Sequence, residues 1–177
     1  MKRSVILAVF TASSLFGGTV SEFKFTGALS EAVQNFVSSK NAKAAFSVVA
    51  DAEHSAGKGV LQAVIMSPSD RKNDSDIQLW CAAKKELAGG EKIRISFLVK
   101  GTEETKAKLV MILSVAPYSA MAKPNEMIFP ISTEWKEVVF EAAAAANGGK
   151  QYRAPGFFLG TAAGTVQFAN IKFETLE

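Results

Sequence analysis

The chain has 177 residues, 21% charged and 48% hydrophobic, with a formal net charge of +3. Without Lys2 and Arg3, which sit in an N-terminal stretch free of acids, the charge falls to +1, and no Lys/Arg-rich run remains to indicate a nucleic-acid partner. The single cysteine, Cys81, excludes an intrachain disulfide framework.

At the N-terminus, Lys2-Arg3 precedes an apolar run over residues 5–10 that continues to Leu15-Phe16. A positive start and about a dozen apolar residues have the form of a secretory signal. The run is shorter than the roughly 20 residues a spanning helix needs. Thr19 and Ser21 are small enough to flank a cleavage site. Residues 1–21 are therefore expected to be a signal peptide cut near Ser21, the rival being a lone N-terminal anchor or a buried first helix. Cleavage implies a secreted, periplasmic or cell-surface protein with no membrane span left. It leaves about 156 residues, enough for one sizeable core.

Residues 22–44 lead into the domain. Within them, residues 30–37 fit either a short helix capped by Ser30 or a poorly formed first strand. From 45 to 177 the signals belong to one all-β domain. Apolar runs at 46–49, 60–65, 77–81, 92–100, 108–115, 138–142, 157–159 and 166–173 predict seven or eight short strands of an antiparallel sandwich. Residues 135–147 pull both ways. Five consecutive alanines before Asn147-Gly148-Gly149 favour a helix, whereas the spacing of Val138, Phe140 and Ala142 favours a strand. A strand through about Ala142, then a loop over the remaining alanines, is expected.

Successive strand residues point to opposite faces. Ile77, Leu79 and Cys81 then face inward, which should keep the thiol buried, while Gln78 and Trp80 face outward. Ile93, Ile95, Phe97 and Val99 face inward and Arg94 outward. Gln78, Trp80 and Arg94 read as an amide, an indole and a guanidinium on neighbouring strands. A pyranose can lay its C–H face on an aromatic ring, and its hydroxyls need forked donors and acceptors. Each residue has a structural alternative. Trp80 could cap the core edge, Gln78 could satisfy a neighbouring strand or loop, and Arg94 could be a solvated charge. Trp135 reads as structural. Tyr118 reads as a rim residue or an ordinary loop aromatic.

The run from Tyr152 through Arg153-Ala154-Pro155-Gly156 to Gly160, the closing stretch 164–173, the alternation over 90–101 and Ile131-Ser132-Thr133-Glu134-Trp135 occur together here. In this order they resemble the carbohydrate-binding modules of the family 4, 9, 16 and 22 group, over roughly residues 45–175. The resemblance implies a galactose-binding-like jelly-roll sandwich that holds a polysaccharide or glycan on a concave sheet face. It carries over to Gln78 in Asp76-Ile77-Gln78-Leu79 and to Arg94 in the run from Gly90 to Ser96-Phe97. Trp80, Tyr152 and Arg153 join them by periodicity and proximity. Many of these modules hold a structural calcium, and Glu53 matches one element of that site. Ala169-Asn170-Ile171 stands where Asp-Asn-Val would be expected, which removes a hard oxygen ligand. No tight metal site and no cofactor are expected.

Catalytic signatures are missing. His54 is the only histidine, so no two-histidine metal motif exists, and no Gly-x-Ser-x-Gly accompanies it. His54 is read as a solvent-facing or structural turn residue, and no paired carboxylates are placed across a groove. The expected function is a non-catalytic, exported glycan-binding module, acting alone or beside glycoside hydrolases. The alternatives are a structural or protein-interaction sandwich that has lost its sugar site, and a small glycan-active enzyme.

Overall fold

The computed structural model describes residues 19–22, 33–38, 41–51, 53–54, 59–68, 73–81, 87–113, 119–146 and 152–176. The strands are β1 Thr19–Glu22, β2 Val33–Val37, β3 Lys43–Ala50, β4 Gly59–Ser67, β5 Ile77–Cys81, β6 Lys92–Gly101, β7 Thr105–Leu113, β8 Ala122–Lys123, β9 Glu126–Ile131, β10 Lys136–Ala144, β11 Tyr152–Phe158 and β12 Gly164–Leu176. A single 3-10 turn, Asp74–Asp76, precedes β5. No helix among the described residues is long and apolar enough to cross a membrane.

The strands form two antiparallel sheets, the expected all-β sandwich. The larger runs β3-β4-β12-β6-β10-β8, with β1 also paired to β12, and the smaller runs β2-β5-β11-β7-β9. β6 illustrates why these segments are strands: Ile93, Ile95, Phe97 and Val99 are buried, and the residues between them are not. Four phenylalanines join the sheets at the centre. Phe97 and Phe168 of the larger sheet meet Phe129 and Phe157 of the smaller, with Phe97 5.2 Å from Phe129 and Phe157 stacked 4.4 Å from Phe168. Cys81 is fully buried in the same core, as the alternation requires; burial pushes its thiol well above the ordinary range.

Several segments differ from the sequence expectation or settle it; β1 runs across the cut expected near Ser21 and pairs with β12. Residues 33–37, open between helix and strand, are β2, paired to β5 from Val33↔Cys81 to Val37↔Ile77; together with the start of β3, β2 lies ahead of the expected domain start at residue 45. The alanine run continues as strand to Ala144 rather than looping after Ala142. Small side chains at Ala142 and Ala144 fit the inner face, and the Ala144 N–H donates to the Glu91 carbonyl at 2.8 Å. Pairing outweighs the local helix propensity. Finally, β9 received no strand assignment. It carries Pro130, which lacks a ladder donor and is tolerated because β9 is an edge.

Candidate functional site

Register places a continuous row of side chains on the outer face of the smaller sheet. Gln78 of β5 pairs with Phe158 of β11, Phe158 with Lys108 of β7, and Lys108 with Ile128 of β9. The next row runs Trp80, Gly156, Val110 and Glu126. Their chain neighbours Leu79, Phe157, Leu109 and Phe129 fill the core, so these rows must face away from it.

Trp80 lies on the expected face, yet it is 2% exposed. Its six-membered ring lies against the backbone of Gly156, where an added Cβ would sit 2.2 Å from the indole. The indole Nε1 donates to Gln78 Oε1 at 2.7 Å, and the Phe158 ring meets the indole edge-on at 5.6 Å. The expectation of an open indole platform is thereby corrected: Trp80 is packed under the site. The reason is the missing side chain at Gly156, which lets a large ring lie flat along the sheet.

Gln78 lies on the outer face of the smaller sheet, opposite Phe158. Its Nε2 donates to the Ser75 carbonyl at 2.6 Å, and its Oε1 accepts from Trp80, which fixes the amide orientation. One N–H and one lone pair remain for a ligand. Arg94 does not lie there. It is on β6, in the other sheet, where its Nη2 and Nε donate to Glu141 Oε1 at 2.6 and 2.8 Å. Alternation placed Arg94 outward, but β5 and β6 lie in opposite sheets, so outward from one is the far side of the molecule from the other. Tyr118 lies outside the described residues. The backbones of Tyr152 and Arg153 are in β11, paired with Leu113 and Ile112, and their side chains are also outside the described residues.

At the Lys108–Ile128 end of the row the surface opens into a groove of about 390 Å³, lined also by Asp74, Thr105, Lys106, Ala107 and Thr161. Lys108 Nζ is 3.0 Å from Asp74 Oδ2 and 3.8 Å from Glu126 Oε2. The hydrogen bond that Lys108 donates to Asp74 raises the ammonium's pKa against partial burial, with the charges of Asp74 and Glu126 adding to the effect. Asp74 and Glu126 thus share one ammonium, and of the two only Asp74 lines the groove. The ammonium between them makes them acceptors around a fixed cation rather than an acid and base facing a scissile bond across an open gap. Ile128 is the most exposed large apolar residue described, at 66%. The sequence reading passed over Phe158, Lys106, Lys108 and Ile128. The signal was present, since Phe157 inward implies Phe158 outward and the lysines alternate with Ala107 and Leu109.

The turn read for metal is organised differently. Asp51 Oδ1 accepts from the N–H groups of Glu53 and His54 at 3.1 and 2.9 Å and lies 3.2 Å from His54 Nδ1. These contacts, led by the His54 N–H, hold the Asp51 carboxyl below its usual range. The His54 ring stacks on Trp135 at 5.0 Å, with Lys100 Nζ 4.9 Å from the same indole. Among the described residues no group of three or more His, Cys, Asp or Glu could hold a metal ion.

No family model matches the sequence, and no curated protein matches it significantly. The fold has clear counterparts among solved structures. A family 4 carbohydrate-binding module aligns with a TM-score of 0.63 at 16% identity, over 81% of this chain and 86% of that one. A family 22 xylan-binding domain from Paenibacillus barcinonensis aligns at 0.60 and 12% identity, over 91% and 96%. The N-terminal cellulose-binding domain of a Cellulomonas fimi β-1,4-glucanase aligns at 0.57 and 10%, over 86% and 96%. The chain has the jelly-roll fold of the carbohydrate-binding modules that its sequence resembles.

Proposed function

We propose that the protein is an exported, non-catalytic glycan-binding module whose ligand lies along the outer face of the five-stranded sheet. The carrying observation is the row Gln78, Phe158, Lys108 and Ile128, set beside an open groove. Phe158 is only partly buried and offers an aromatic edge or face to sugar C–H groups, Gln78 and Lys108 offer oriented donors, and Asp74 and Glu126 offer acceptors. Solved neighbours named as xylan-binding and cellulose-binding support this ligand class. A module of this kind would act at the cell surface or outside it, alone or beside hydrolases.

Affinity electrophoresis through gels containing soluble polysaccharides tests the reading. The wild type should be retarded in at least one gel, and Phe158→Ala should lose most of that retardation while keeping a cooperative melt. Free migration of the wild type through every polymer would reject it. A protein-interaction sandwich then becomes the better reading, favoured by the 66% exposure of Ile128 on edge strand β9.

A further inference from the structure

We infer that the groove is specific for a glycan bearing carboxylates, a uronic-acid polymer, with Lys106 as the residue that recognises the charge. This deepens the proposed function and rests on it. Lys106 and Lys108 are two apart on β7 and so share the outer face. Both line the groove, but their surroundings differ. Lys108 is already placed between Asp74 and Glu126. Lys106 has no carboxylate partner among the described residues, and Pro130 faces it across β9. The Thr161 hydroxyl donates to the Lys106 carbonyl at 3.1 Å, so its lone pairs remain available to a sugar hydroxyl.

A neutral sugar can accept from a free ammonium only through uncharged hydroxyl and ring oxygens. A uronate adds one carboxylate per residue and turns that contact into a charge-assisted hydrogen bond. The two neighbouring carboxylates would ordinarily repel such a ligand. Lys108 neutralises part of their charge, leaving Lys106 to supply the attraction. Since Lys106 is exposed, its contribution is screened by salt and modest.

The test compares retardation of the full chain by polygalacturonate, by the same polymer with its carboxyls methyl-esterified, and by neutral xylan, at low and high salt. The wild type should bind the free acid about threefold more tightly than the ester at low salt, and the difference should vanish at high salt. Lys106→Gln should bind both forms alike, whereas Lys136→Gln, on the other sheet, should behave as wild type. Lys108→Gln uncovers Asp74 and Glu126 and should reverse the preference in favour of the ester. Equal binding of acid and ester by the wild type, or a preference that survives Lys106→Gln, overturns the inference and leaves the glycan-binding reading standing. Failure to bind any of the three polymers overturns the inference, and free migration through every other soluble polysaccharide as well overturns both.

Discussion

Trp80, on β5 of the smaller sheet, and Trp135, just ahead of β10 of the larger, differ in what surrounds them. Trp80 is 2% exposed, lies on Gly156, and gives its N–H to Gln78. Trp135 is only partly buried, carries His54 stacked on its ring, and has a water-shielded Nε1 with no hydrogen-bond partner among the described residues. An outward position on a strand therefore states where a ring starts, not whether solvent reaches it. The residue opposite on the next strand decides that: glycine for Trp80.

The comparison breaks most visibly at Trp80. Trp80→Ala should destabilise the fold by about 3–5 kcal/mol, as for other buried aromatic truncations, measured by urea unfolding. A loss within the range of ordinary surface changes would mean that the indole is the open platform after all. Gly156→Ala approaches the same contact from the other side. The new methyl group would overlap the ring, so a cost of about 1–3 kcal/mol is expected, with reduced glycan retardation as Phe158 and Gln78 shift. The paired variants Trp80→Phe and Trp135→Phe sharpen the difference. The first strands the Gln78 acceptor, while the second removes an N–H that has no acceptor. Trp80→Phe should therefore cost at least about 1 kcal/mol more than Trp135→Phe in matched melts. Arg94→Ala should have the smallest effect, about 0.5 kcal/mol or less for an exposed ion pair. It should leave glycan retardation unchanged, because Arg94 is on the other sheet.

Much of the fold was legible in the residues. The alternation at 77–81 and 92–100 correctly sorted Ile77, Leu79 and Cys81, and Ile93 through Val99, onto the core side. It did so because a strand has a period of two whatever it pairs with. β2 was less legible, since Val33, Phe36 and Val37 fit a helix face as well as a strand. Only pairing with β5, more than forty residues later, selected the strand. The site was half legible. Gln78 is on the proposed binding face, Arg94 is on the other sheet, and Phe158, Lys106 and Lys108 are in or beside strand runs whose outward residues alternation already marks.

By itself the sequence determined the all-β class, the inward set of each strong strand and the burial of Cys81, because these follow from local periodicity and the need to remove apolar side chains from water. The tertiary structure alone decided which strands share a sheet, and hence that Gln78 meets Phe158 and Lys108 rather than Arg94. It also decided that Trp80 lies under the site, because a glycine on β11 stands directly opposite. Both outcomes depend on hydrogen-bonded pairing between strands distant in sequence, and no alternation within a single strand encodes its partner.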